Sequence, residues 1–108
     1  MKVITLHKRV TTDELLSYLQ QKLNPLFKQQ RRVDNVLQIF EADEAVNISI
    51  PELYEGWVFQ IAVNGNELWI TRNEHYVDDV NSLAIESILN QLFDDLSEGW
   101  GTDLVQEG

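Results

Sequence analysis

Two adjacent residues, Asn64-Gly65, constrain this chain more than any others. The pair is favoured in the type I′ turn, whose twist suits a two-residue connection between antiparallel strands. Residues 57–63 and 66–72 flank it and are rich in β-branched and aromatic side chains. A two-residue loop at 64–65 sets Ile61 opposite Leu68, Phe59 opposite Ile70 and Trp57 opposite Arg72, so the apolar residues share one face. A loop one residue longer sets Glu67 against Val63 and loses the match, because a one-residue slip turns every side chain over. This register predicts Trp57 in the core. It places Trp69 on the other face, with Val58 and Gln60.

A second hairpin is expected upstream. Residues 33–40 and 45–50 are rich in β-branched and apolar side chains, and they flank Glu41-Ala42-Asp43-Glu44. A four-residue loop there puts Phe40 opposite Ala45, Ile39 opposite Val46 and Leu37 opposite Ile48. Gln38, Asn47 and Ser49 then share the wetter face. Pro51 should end the second strand, since it has no N–H to give to a ladder.

Helical patterns bracket these strands. Residues 2–7 read as a short strand. Thr11 and Glu14 have capping-box spacing, and Leu15, Leu19, Leu23 and Leu26 then repeat at helical intervals. Pro25 disfavours helical geometry at Asn24, which predicts a break there and a short turn of helix to Gln30. The last helix should run from about Asp78 to Leu96, with Asp78 and Asp79 at its positive end. Its apolar positions, from Val80 to Leu96, cover half the circumference or more, wider than the usual surface stripe. That width means either deep burial or contact with a second subunit.

The order β-α-β-β-β-β-α predicts one α+β domain over residues 1–108, an antiparallel sheet of hairpins with two helices packed mainly on one face. The first strand takes either a central or an edge position. Gly99 and Gly101 break the last helix, and 97–108 reads as a flexible acidic tail. Trp100 in that tail is expected to fold back on the domain or to serve as a contact.

Charge narrows the function. The chain carries a net charge of −10. Residues 1–32 hold seven basic side chains against Asp13 and Glu14, a net of +5, and residues 33–108 hold only Arg72 against sixteen acids, a net of −15. Such a surface repels nucleic-acid phosphate and anionic lipid; it either serves solubility alone or forms a face for a basic protein partner. No apolar run approaches the length of a membrane span or a signal peptide, so a cytoplasmic protein is the expectation. There is no cysteine, hence no disulfide and no thiolate metal site.

No motif for catalysis or for a cofactor stands out. His75 lies among Asn73, Glu74, Asp78 and Asp79, but this reads as a solvated loop leading into a capped helix rather than a metal site. The serines lie in no nucleophile elbow, and the glycines form no phosphate-binding loop. The leading expectation is a small acidic non-catalytic interaction protein that binds a basic protein partner, of the immunity, antitoxin, inhibitor or chaperone kind. Trp69, Trp100, Asp94, Asp95 and Glu98 are its expected contact residues, aromatic anchors among carboxylates. One alternative is a homo-oligomeric structural or regulatory domain, such as a homodimer formed through the helix over 80–96. The other is a small-molecule-binding or enzymatic domain, which needs a pocket between sheet and helices with convergent polar groups.

Overall fold

The structure, a computed structural model, describes residues 2–6, 8–32, 35–76 and 79–97. The strands are β1 (Lys2–Thr5), β2 (Gln38–Ala42), β3 (Ala45–Ser49), β4 (Phe59–Asn64) and β5 (Glu67–Arg72). The helices are α1 (Thr12–Arg31) and α2 (Val80–Ser97), with a short 3-10 turn at Glu74–Tyr76. The sheet is fully antiparallel in the order β1-β5-β4-β3-β2, which puts β1 and β2 at the edges. Ile39, Val46, Ile48, Phe59, Ile61, Leu68 and Ile70 form the sheet side of one core with Leu15, Leu19, Leu23 and Phe27 of α1 and Ile85, Leu89 and Phe93 of α2. Both helices therefore cover one face of the sheet and leave the other open.

The capping box of α1 forms as expected. Glu14 N donates to Thr11 Oγ1 at 3.1 Å, and Thr11 N donates to Glu14 Oε1 at 2.9 Å. The expected break at Asn24-Pro25 does not occur: α1 runs unbroken to Arg31, with Pro25 inside it. Leu23 and Phe27 stand on either side of the proline and are both fully buried, so packing holds the two halves in line. Pro25 itself is exposed, and Asn24 gains two hydrogen bonds to Leu37 that offset its restricted backbone. The helix ends where Arg32 turns left-handed and donates to Lys28 O.

Both hairpins form, each with its register displaced from the sequence expectation. In β4–β5, Val63 pairs with Leu68, Ile61 with Ile70 and Phe59 with Arg72. The loop is Gly65-Asn66. Gly65 has a φ of +64° and Asn66 is not positive, so the type I′ turn expected at Asn64-Gly65 gives way to the II′ pattern, with glycine first. In β2–β3 the ladder continues through Glu41↔Val46 and Ala42↔Ala45, so the expected four-residue loop shrinks to Asp43-Glu44. Phe40 consequently pairs with Asn47 rather than Ala45. Each correction slides one strand by two residues past the other. Side chains alternate with period two, so the expected faces survive.

Trp57 and Val58 are the exceptions. Trp57, expected opposite Arg72 in the core, lies outside β4 and is only half-buried. Val58, expected beside Trp69 on the other face, is buried in the core. Val58 N donates to Ile48 O at 2.7 Å, while Phe59 is the register partner of Ile48. Two residues thus meet one, as in a β-bulge, and both Val58 and Phe59 enter the core. The bulge turns Trp57 out.

α2 begins two residues later than expected. Asp79 Oδ1 accepts from Asn81 N at 2.8 Å and Ser82 N at 3.2 Å, so Asp79 is the cap. Asp78 lies outside the described residues. Most apolar positions of α2 are buried within the domain, which leaves Val80 and Leu83 exposed at its start.

Candidate binding surfaces

The open face of the sheet is built by register. Val3, Trp69, Ala62, Ala45 and Ala42 are successive partners across all five strands. Thr71, Gln60, Asn47 and Phe40 form the adjacent row. Between Trp69 on β5 and Phe40 on β2, three strands or about 14 Å apart, the first row holds three alanines: Ala62 exposed, Ala42 half-buried and Ala45 buried. Trp69 is 37% exposed and Phe40 41%, large values for aromatic side chains on a sheet. Among the strand residues of this face Glu67 alone is charged, and it accepts from Trp69 Nε1 at 3.4 Å.

Asn47 fixes the middle of the face. Its Nδ2 donates to Ala42 O and Ala45 O at 3.1 and 3.2 Å, and its Oδ1 accepts from Gln60 Nε2 at 3.1 Å. Beside it the surface sinks into a depression of about 340 Å³. Gln38, Asn47 and Ser49 form the base, Phe40, Tyr54 and Trp57 the aromatic walls, and Asp43 the tip; no Lys or Arg lines it. Exposed Glu44, Glu52 and Glu55 are close by in sequence, in the turn and in the loop that supplies Tyr54 and Trp57.

Tyr54 is held by a polar knot at the end of the domain. Arg31 Nε donates to Asn81 Oδ1 at 2.8 Å, and Asn81 Nδ2 donates to Tyr54 Oη at 3.2 Å. The ring of Tyr54 packs on Tyr76 with centroids 4.5 Å apart, and Tyr76 Oη donates to Glu55 O. Partial burial, then a hydrogen bond to the Asp79 carboxylate, push the Tyr54 phenol above its ordinary pKa.

A second cavity lies on the other side of the sheet, where α2 crosses the corner made by β1, β5 and β4. It measures about 380 Å³ over Phe59, Ile70 and Leu89, with Lys2, Arg72, Glu74, Glu86 and Asn90 around it. Lys2 Nζ donates to Asn90 Oδ1 at 2.6 Å, and Arg72 Nη1 pairs with Glu86 Oε2 at 2.8 Å. His75 is exposed in the 3-10 turn, and no group of three or more metal-ligating side chains occurs among the described residues. No helix among those residues is long and apolar enough to cross a membrane.

The expected contact residues do not form one patch. Trp69 stands on the open face, whereas Asp94 and Asp95 are exposed near the end of α2, on the side the helices cover. Glu98 and Trp100 lie outside the described residues. Phe40, Tyr54, Trp57 and Asp43 are the neighbours that sequence reasoning did not assemble. The alternation of 38–42 could have flagged Phe40, since it falls opposite in phase to Ile39. Trp57 carries no such signal, because its position depends on the bulge. No protein-family model matches the chain, and comparison with curated proteins and with solved structures finds no match.

Proposed function

We propose that the protein is a non-catalytic interaction protein that docks a basic protein partner on the open face of its sheet. The observation that carries this reading is the depression: three aromatic side chains, an acid at the tip and no cation among its lining residues. An Arg or Lys side chain of the partner enters between Phe40 and Trp57, where ring faces attract a cation, and its charged end meets Asp43. Ala62 is exposed beside Trp69, which is the anchor at the far side. The overall charge of −10 accelerates encounter with a basic surface and disfavours acidic competitors. The carboxylates thus act mainly from the rims of the sheet, and the face itself supplies aromatic and amide contacts.

An immunity protein, antitoxin, inhibitor or chaperone of a basic partner would fit this reading. The direct test titrates the protein with arginine-rich, lysine-rich and glutamate-rich peptides of equal length while tryptophan fluorescence and amide resonances are followed. The basic peptides should perturb Phe40, Asp43 and Trp57, more weakly as salt rises. Equal responses to basic and acidic peptides would sink the reading.

A further inference from the structure

The cavity under α2 shares no lining residue with the depression and lies across the sheet from it. We propose that it is a binding site for a small α-amino acid with an apolar side chain. Its volume, about 380 Å³, falls in the range of small-molecule sites.

Register fixes the order of its charges. Lys2 is the partner of Ile70, and Arg72 follows two residues along β5, roughly 7 Å further on. From α2, Asn90 meets Lys2 and Glu86 meets Arg72, one helical turn apart. The sheet bank therefore presents two cations in succession, and a ligand carboxylate between them engages both. The ammonium of Lys2 uses one proton on Asn90 and has two more to give. Glu86 holds Arg72 through Oε2, which leaves Oε1 to accept from a ligand ammonium, and Glu74 adds a second carboxylate at that end. The ligand side chain lies on Phe59, Ile70 and Leu89.

Among the described lining residues two cations balance two carboxylates, which matches a zwitterion. A simple anion would find no partner for Glu74 and the free oxygen of Glu86, and a simple cation would meet Lys2 and Arg72. The Arg72–Glu86 pair spans from sheet to helix and orients both charges before the ligand arrives.

The test is a titration of methyl-labelled protein with L-leucine and L-phenylalanine, alongside isocaproate and isoamylamine, which lack the amine and the carboxylate. The methyl signals of Ile70 and Leu89 should shift and saturate with the amino acids, and each analogue should bind about tenfold more weakly or worse. Lys2→Ala should weaken leucine but not isoamylamine, which loses a repelling charge, and Glu86→Gln should weaken leucine but not isocaproate, for the same reason. Lys2 is exposed on an edge strand, so its variant keeps the test decisive even if Glu86→Gln perturbs folding. The proposal is overturned if no amino acid gives a saturable shift, if either analogue binds as well as leucine, or if Lys2→Ala leaves leucine binding unchanged.

Discussion

Asn24 and Leu37 exchange two hydrogen bonds. Leu37 N donates to Asn24 Oδ1 at 2.8 Å, and Asn24 Nδ2 donates to Leu37 O at 3.0 Å. A helix side chain here plays the part of a neighbouring strand. Gln20, one turn earlier on α1, donates to Ile39 O at 3.0 Å. Together the two amides cover part of the outward edge of β2, which would otherwise offer its backbone to another chain.

Replacing Asn24 by Leu keeps the bulk and removes both partners of Leu37. The variant should lose about 1–3 kcal/mol, the cost of leaving a donor and an acceptor unmade, seen as a lower urea midpoint with an unchanged slope. The uncovered edge should also make it associate at high concentration. A fully stable, monomeric Asn24→Leu protein would show that the edge does not need α1.

The turn Asp43-Glu44 should be the easiest place to gain stability. Both residues are left-handed, with φ of +55° and +61°, and neither is glycine. A type I′ turn prefers Asn-Gly there, and a left-handed residue with a side chain costs about 1–2 kcal/mol. Asp43→Asn with Glu44→Gly should raise stability by about 1 kcal/mol and raise the melting temperature. Gly65→Ala should do the opposite by a similar amount, ~1 kcal/mol, from backbone strain. A Cβ at that position would meet nothing within 4 Å, so no clash contributes. Calorimetry of the two variants separates the backbone effect from packing.

The same turn shows what the sequence could and could not convey. Strand faces were legible, because alternation needs only neighbouring residues: Leu68 and Ile70 inside, Trp69 outside. Turn positions were not. Extending the β2–β3 ladder through Glu41 and Ala42 puts two residues into a strained conformation, and no local pattern weighs that cost against the added pairing. The unbroken α1 depends on Asn24 reaching Leu37, a contact invisible to helix propensity. Trp57 leaves the core because Val58 and Phe59 both face Ile48, which only the assembled sheet decides. The depression combines residues from β2, β3 and the loop after Pro51, so it exists only once those strands are in register.

Phe40 should matter for binding and only modestly for folding. It is 41% exposed on an edge strand, so Phe40→Ser should lower stability by no more than about 1 kcal/mol. Loss of the ring should weaken an arginine-rich peptide by about 1 kcal/mol, roughly fivefold, the scale of a cation over an aromatic face. Asp43→Asn should reduce the salt dependence of the same binding and leave the tyrosine and tryptophan walls in place. Peptide affinity unchanged in both variants would move the contact away from the depression.

Tyr54 gives the fold a dependence on alkaline pH. Partial burial and the hydrogen bond to Asp79 favour its neutral form, so its folded pKa stands above the unfolded value of about 10. Above that pH the unfolded chain gives up the phenol proton while the folded protein still holds it. The unfolded state then binds fewer protons, and stability falls as pH rises through this window; below it the contribution is fully present. Tyr54→Phe removes the titrating group but also the acceptor for Asn81 Nδ2. The variant should therefore be less stable than the parent at neutral pH, and the difference should narrow as pH climbs past about 10. Urea unfolding of both proteins across that range reads the two slopes. Parallel curves would mean that the Tyr54 phenol titrates alike in both states, and that the knot of Arg31, Asn81 and Asp79 holds the loop without favouring its proton.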